Sequence, residues 1–91
     1  PLTAEIIGVS SGPIYEGGLL FNDKGCLYCH AISGHGGQRG PDLTDVGSRL
    51  SSNELTWRIM NGGLNMPAFG GILTSDELSK LVGFLHSRRK P

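Results

Sequence analysis

The feature that most constrains this chain is one short cluster, Cys26-Leu27-Tyr28-Cys29-His30, which contains both of its cysteines. The chain has 91 residues, enough for a single domain. A domain of this size buries only roughly 60–65% of its unfolded surface, so its own core is marginal. Hydrophobic residues are 37% of the composition, and the 15 glycines add a backbone-entropy cost on folding. Small domains of this kind often depend on a disulfide, a metal or a cofactor, so the composition indicates a bound group without saying which one.

Four interpretations of the cluster are open. A Cys-x-x-Cys disulfide closes a very small loop and would stabilise little. A thioredoxin-like redox pair expects a βαβ context, and no strand–helix alternation surrounds the motif. A zinc site would use Cys26, Cys29 and His30, but structural zinc usually recruits a second ligand pair, and no later cysteine exists. The fourth interpretation is a c-type haem attachment signature, Cys-x-x-Cys-His.

The spacing of the cluster suits haem attachment. On a helix, Cys29 and His30 follow Cys26 by three and four positions, so the three side chains share one face. Two thioethers would then tether the vinyl groups of a haem while the adjacent imidazole reaches the iron. The motif is only moderately specific, so a second, independent signal is needed.

That signal is the segment Asn65-Met66-Pro67-Ala68-Phe69-Gly70. A methionine thioether is a soft ligand for haem iron, and His/Met ligation raises the reduction potential of cytochromes c. Pro67 biases Met66 towards an extended conformation and helps a glycine-rich loop to keep one shape. The alternative is a gap-filling core methionine. That role we assign instead to Met60, which lies with Leu55 and Ile59 on one stripe of a predicted helix.

In order and spacing, the chain resembles class I (mitochondrial-cytochrome-c-like) monohaem cytochrome c domains of bacteria over roughly residues 14–88. Four segments carry the resemblance: Gly17-x-x-Leu20-Phe21 before Gly25-Cys26, then Cys26-x-x-Cys29-His30, then Gly40-Pro41-Asp42-Leu43, and finally Met66-Pro67 followed by a helix with Phe84-Leu85. The resemblance implies an all-α fold, with three to four helices and loops wrapped around one covalently bound haem c. It also implies that the Pro41 carbonyl orients the imidazole of His30.

Local patterns predict three helices directly. Thr74 and Glu77 form a capping-box sequence that begins a helix over about 74–88. A helix from a Ser52 cap to Asn61 precedes Gly62-Gly63, and a first helix covers about 14–24. Gly17 and Gly18 predict that another backbone comes close to the first helix, and the resemblance implies that this partner is the last helix, near Gly83 and Phe84. Residues 1–13 are interpreted as a linker or N-terminal extension, and 14–91 as the cytochrome c domain.

The remaining polar residues receive lesser roles. Arg39 and Trp57 are candidates for bonding a haem propionate, because a guanidinium or an indole N–H suits a carboxylate. Asn61 could donate near the Met66 sulfur or cap its helix, and the cap is the predicted role. His35 and His86 are predicted as surface residues, although either would be a sixth ligand if Met66 were not.

These predictions combine into an electron-transfer module that is not itself an enzyme. Eight basic residues balance eight acidic ones, so neither nucleic acid nor a membrane surface is indicated as partner, and no transmembrane segment is present. The predicted partners are redox proteins, and the linker-like start favours tethering to a respiratory or dehydrogenase subunit. The resemblance implies a periplasmic or other extracytoplasmic location. Two alternatives remain: a haem domain with an open distal site, acting as gas sensor or enzyme, and a zinc-stabilised interaction module.

Overall fold

Four α-helices and the loops between them make up the fold of the chain. A computed structural model describes all residues, 1–91. The helices are α1 (Ala4–Ile7), α2 (Pro13–Asp23), α3 (Ser52–Asn61) and α4 (Ser75–His86). Two single 3₁₀ turns, Cys26–Tyr28 and Val46–Ser48, and a two-residue antiparallel pair, β1 (Ala31–Ile32) with β2 (His35–Gly36), complete the regular structure. The predicted all-α class is confirmed. No helix reaches the length and hydropathy of a bilayer span.

Helices α2 and α4 pack against each other at a point fixed by Gly17. A Cβ placed on Gly17 would lie 2.1 Å from the Lys80 carbonyl oxygen and 2.7 Å from Phe84 Cβ, so only glycine allows this approach. The rings of Phe21 and Phe84 meet beside it, with centroids 5.9 Å apart. The predicted contact of the two helices is therefore present at Gly17 and Phe84. Gly83 takes no part in it, because a Cβ placed on Gly83 would have no neighbour within 4 Å.

Replacing Gly17 by alanine is expected to destabilise the domain by about 2–3 kcal/mol, since a rigid backbone must move to admit the new methyl group. Gly83→Ala is the matched control in the partner helix. It meets open space and is expected to stabilise by about 0.5–1 kcal/mol through helix propensity. Chemical denaturation of the two variants measures both effects. Equal unfolding free energies for them would show that the helices do not depend on Gly17.

The helices α3 and α4 begin at capping boxes. Thr74 accepts from the Glu77 amide, and the Glu77 carboxylate accepts from the Thr74 amide at 2.9 Å, as predicted. In α3 the same pair is Ser51 and Glu54, so the cap is Ser51 and the prediction of Ser52 was off by one residue. Both serines carry a side-chain acceptor, but only Ser51 has a glutamate three positions later. The hydrogen bonds hold the pKa of Glu54 and of Glu77 below its ordinary value.

This depressed pKa gives the domain an acid-sensitive contribution to stability. A carboxyl whose pKa is lower in the folded state contributes stability above its unfolded pKa of about 4.3, and loses it as the pH falls through the folded value. Glu77→Gln keeps the cap acceptor and removes the titration. We therefore expect the variant to lose less unfolding free energy than the wild type between pH 5 and pH 3 (roughly the range of glutamate titration). Superimposable acid-unfolding curves would contradict this account.

The beginning of the chain, residues 2–7, packs against the domain, whereas residues 8–11 are exposed, and the assignment of 1–13 as a linker or N-terminal extension stays a prediction. Leu2 and Ile7 are buried, and the Ile7 side chain fills the space where Gly18 lacks a Cβ. Thus Gly18, unlike Gly17, faces α1 and not α4. Asn22 exchanges two hydrogen bonds with the Leu2 backbone, at 2.7 and 2.9 Å. From the other end, Arg88 donates to the carbonyls of Ile6 and Ile7, at 3.2 and 2.8 Å, and lies over the Phe84 ring.

The apolar core is small and surrounds a cavity. Eleven hydrophobic residues are buried, and several of them form walls of that cavity: Phe21, Val46, Leu55, Ile59, Leu81 and Leu85. Leu55 and Ile59 are in the core as predicted. Met60 is 42% exposed, so its predicted core position was wrong. Leu55 and Ile59 are four positions apart and face inwards together, whereas Met60 is turned a further 100° around the helix, roughly, and leaves the stripe.

Candidate haem site

A cavity of about 1360 Å³, open to solvent at its mouth, lies among the elements that follow α1. This exceeds the roughly 300–1,000 Å³ that is typical of small-molecule sites, so it admits a large group. The cavity is lined by residues of α2, α3 and α4. The loops around the two 3₁₀ turns and the loop after α3 complete its walls. Most of the lining side chains are apolar, and the charged ones are Lys24, Arg39, Arg49, Glu54 and Arg58.

The cysteine cluster forms one helical turn at the edge of this cavity. Gly25, with φ at +80°, lets the chain leave α2 and enter the 3₁₀ turn Cys26–Tyr28. The amides of Cys29 and His30 both donate to the Cys26 carbonyl, at 3.3 and 3.0 Å. The two cysteines form no disulfide with each other; both are half-buried and line the cavity. Burial raises the pKa of the Cys26 thiol to about 11.

His30 is held so that one ring nitrogen remains available. Its Nδ1 lies 2.8 Å from the Pro41 carbonyl oxygen, which only accepts, so Nδ1 carries the proton and donates. The opposite nitrogen, Nε2, therefore keeps its lone pair for a metal. Gly40 fixes the ring laterally, because a Cβ there would lie 2.6 Å from His30 Cε1. The predicted pairing of Pro41 with His30 is present.

Met66 reaches the same cavity from the loop after α3. Gly62, with φ at +71°, ends the helix, and a Cβ on it would lie 2.5 Å from the Met66 carbonyl oxygen. The loop then closes with Gly63 N–H donating to that carbonyl at 3.0 Å, and Phe69 N–H donating to Ile59 at 2.9 Å. Met66 is half-buried and lines the cavity, whereas Met60 does not. Of the two methionines, only Met66 is placed to bind a group in it.

Of the other polar residues considered from the sequence, some line the cavity and others do not. Arg39 and Trp57 both line the cavity. Asn61 donates from its side chain to the Trp57 carbonyl within the last turn at 2.8 Å, but the residue that caps the helix is Gly62, so the predicted capping role of Asn61 was wrong. His35 and His86 do not line the cavity; His86 instead lies 2.9 Å from the Arg89 guanidinium.

Two arginines of the cavity were not predicted from the sequence. Arg49 donates to the Asp42 carbonyl at 3.0 Å, and the Arg58 guanidinium lies 5.9 Å from the Trp57 ring centroid. Arg58 had an accessible signal, because it follows Trp57 directly on a predicted helix whose opposite face is apolar. Arg49 had none, since it lies in an irregular loop between short turns.

The residues present fit a covalently bound haem. Two thiols, an imidazole with a free Nε2, and a thioether line one large cavity with mostly apolar walls. Thiols form the two thioether bonds, and imidazole with thioether is a ligand pair of c-type haem iron. The zinc interpretation finds no comparable ligand set, since no group of three or more His, Cys, Asp or Glu side chains is gathered.

Comparison with known proteins agrees with this geometry. The family model described as cytochrome C oxidase, cbb3-type, subunit III, matches residues 13–85. The chain belongs to this family. It is thus a class I monohaem cytochrome c domain, and its cofactor is haem c, bound covalently through a pair of cysteines. Cys26 and Cys29 are the only two cysteines that the cytochrome has.

A solved structure shares the fold of the cytochrome. The c-type cytochrome SorU from Sinorhizobium meliloti superposes with a TM-score of 0.70, covering 85% of this chain and 91% of its own. The two are 22% identical in sequence, so the likeness concerns the fold. None of the curated proteins compared with the cytochrome matches it. The four-helix arrangement around a central cavity is therefore that of a c-type cytochrome.

Proposed function

We propose that this cytochrome domain transfers single electrons through a haem c whose iron is ligated by His30 and Met66. The observation that carries the proposal is the shared cavity, in which His30 presents a free Nε2 and Met66 a thioether sulfur. When bound, the haem supplies a one-electron iron couple. With both axial positions filled by protein side chains, no site is left for a substrate.

The residues of the chain serve this role in distinct ways. His30 is kept in one tautomer by the Pro41 carbonyl, which strengthens the imidazole as a ligand. The apolar walls exclude water and, with the soft thioether of Met66, favour the reduced state. Arg39 and Trp57 are proposed to bond haem propionates at the cavity edge, in keeping with their place in its lining.

The proposed partners are redox proteins outside the cytoplasm. The family description names a subunit of a terminal oxidase, which supports a role in a respiratory chain or in a dehydrogenase that feeds one. Tethering to a membrane complex is part of this proposal. The exposed apolar residues at the cavity mouth, Tyr28, Trp57 and Leu64, suit the brief docking of such a partner.

Absorption spectroscopy of the purified holoprotein tests the ligation. We expect a pyridine haemochrome spectrum of haem c, a low-spin oxidised form, and a weak far-red band from sulfur-to-iron charge transfer. We also expect the reduced protein to bind carbon monoxide slowly and weakly, because Met66 has to leave first. Rapid, tight binding with a high-spin spectrum would contradict the proposal and indicate an open distal site, as in a gas sensor or enzyme.

A further inference from the structure

Two chain segments run side by side at the proximal side of the site, and their hydrogen bonds enclose the His30–Pro41 pair. Before that pair, Gly40 N–H donates to the Cys29 carbonyl at 2.6 Å. After it, Leu43 N–H donates to the Ala31 carbonyl at 2.9 Å. The last bond in the series runs the other way, from Ser33 N–H to the Thr44 hydroxyl oxygen at 2.8 Å. The position of Pro41 relative to His30 is therefore fixed from both directions.

Two further hydrogen bonds, both to Asp42, restrain the segment that contains Thr44. Its amide donates to the Asp42 carboxylate at 2.8 Å, and Arg49 donates to the Asp42 carbonyl at 3.0 Å. The hydrogen bonds from Thr44 hold the pKa of Asp42 below its ordinary value, so this acceptor is charged at neutral pH. Asp42 is the residue that follows Pro41, so its two anchors restrain the peptide that bears the accepting carbonyl.

Ser33 adopts a left-handed backbone conformation where its amide bonds Thr44. It has φ at +51° and is the only residue other than glycine with a positive φ. That region costs an L-residue about 1–2 kcal/mol and persists where the surroundings determine it. The turn at Ser33 and Gly34 directs the Ser33 amide to the Thr44 hydroxyl, and no other side chain bonds that amide.

The His30–Pro41 bond needs such restraint because it is near the surface. Pro41 is exposed and His30 is half-buried, so water competes for the same carbonyl. Proline also has no N–H with which to anchor its own peptide. Without neighbouring bonds, the carbonyl would turn to solvent at little cost.

We propose that Thr44 and Asp42 are positioning residues, which hold the Pro41 carbonyl on His30 and thereby set the reduction potential of the haem. The inference rests on the proposed function, since it needs His30 as an iron ligand. A firm hydrogen bond to Nδ1–H increases the basicity of the imidazole, which stabilises the oxidised iron more than the reduced iron. Loosening it therefore raises the potential.

Three threonine variants of the holoprotein test this inference. Thr44→Val removes the hydroxyl acceptor and keeps the shape, and Thr44→Ser keeps the acceptor. Thr56→Val is the control, because Thr56 bonds Ser52 within α3 and has no part in this network. For Thr44→Val we expect a threefold change in the equilibrium constant of reduction, a rise of about 28 mV at 59 mV per tenfold for one electron. Thr44→Ser and Thr56→Val should stay at the wild-type potential.

Proton NMR of the reduced protein provides a second measurement. In Thr44→Val, the His30 Nδ1 proton is expected to exchange with water about threefold faster than in the wild type, because the bond opens more often. A Thr44→Val protein that is less stable but keeps both the potential and the exchange rate would overturn the inference, as its role would then be structural only. If the wild type lacks the far-red band, the proposed function fails instead, and the two failures are thus distinguished.

Discussion

Replacing both Cys26 and Cys29 by serine is expected to abolish cooperative folding of the domain. Several apolar side chains of the cavity wall are only partly buried by the protein, including Leu43, Leu50 and Phe69, so these side chains complete their packing only against a bound group. Domains of this kind have a free energy of unfolding of only about 5–15 kcal/mol. An unfilled cavity of this size is expected to cost more than that free energy. Thermal unfolding followed by circular dichroism should show a broad, non-cooperative loss of helix in the double variant.

Tyr28→Ser is the control for that experiment. Tyr28 lies between the two cysteines and is 84% exposed, so its replacement alters the motif without removing either thiol. We expect this variant to attach haem and to unfold cooperatively within a few degrees of the wild type, roughly the scale of a surface substitution. Cooperative unfolding of the double serine variant near the wild-type midpoint would show that the protein core suffices without the haem.

The second large effect is expected from Met66→Ala. Without the thioether, water or an added ligand would take the sixth coordination position of the iron. The oxidised iron is then stabilised relative to the reduced iron. Axial ligand identity spans about 0.8 V among haem proteins, and we expect the potential here to fall by on the order of 0.1–0.3 V. Redox titration measures the shift, and the far-red band should disappear in the same sample.

Met60→Ala is the matched variant for Met66→Ala. Met60 is 42% exposed and lies outside the cavity lining, so the same chemical change there should leave potential and spectrum as in the wild type. Carbon monoxide should bind rapidly to reduced Met66→Ala and slowly to Met60→Ala. The ligand assignment would be wrong if the band were lost in Met60→Ala and kept in Met66→Ala.

Much of the fold follows from local sequence signals, and the site follows from two short motifs. The Thr74 box has its partner, Glu77, three residues away, so the start of α4 was predictable. The Cys-x-x-Cys-His turn is equally local. The placement of Met66 in the same cavity as His30 is not local, and its prediction relied on the order of motifs along the chain.

The contacts of the N-terminal segment could not be predicted, because they join residues that are far apart in the sequence. Residues 1–13 lack helical periodicity, and the burial of Leu2 and Ile7 depends on Asn22, Gly18 and Arg88. The bond from Arg88 to Ile7 spans 81 residues. No pattern within a short window encodes such a contact, because each partner by itself has the sequence features of a surface loop or a frayed helix end.

The bond between Arg88 and the Ile6 and Ile7 carbonyls also has a geometric consequence, because it brings the beginning and the end of the fold together. Domains whose ends are adjacent tolerate circular permutation and insertion into a loop of another protein. Connections made near Ile7 and Arg88 would join the fold to a host protein at neighbouring points. The cytochrome is therefore suited for use as an inserted electron relay, joined to its host by two connections instead of a single hinge.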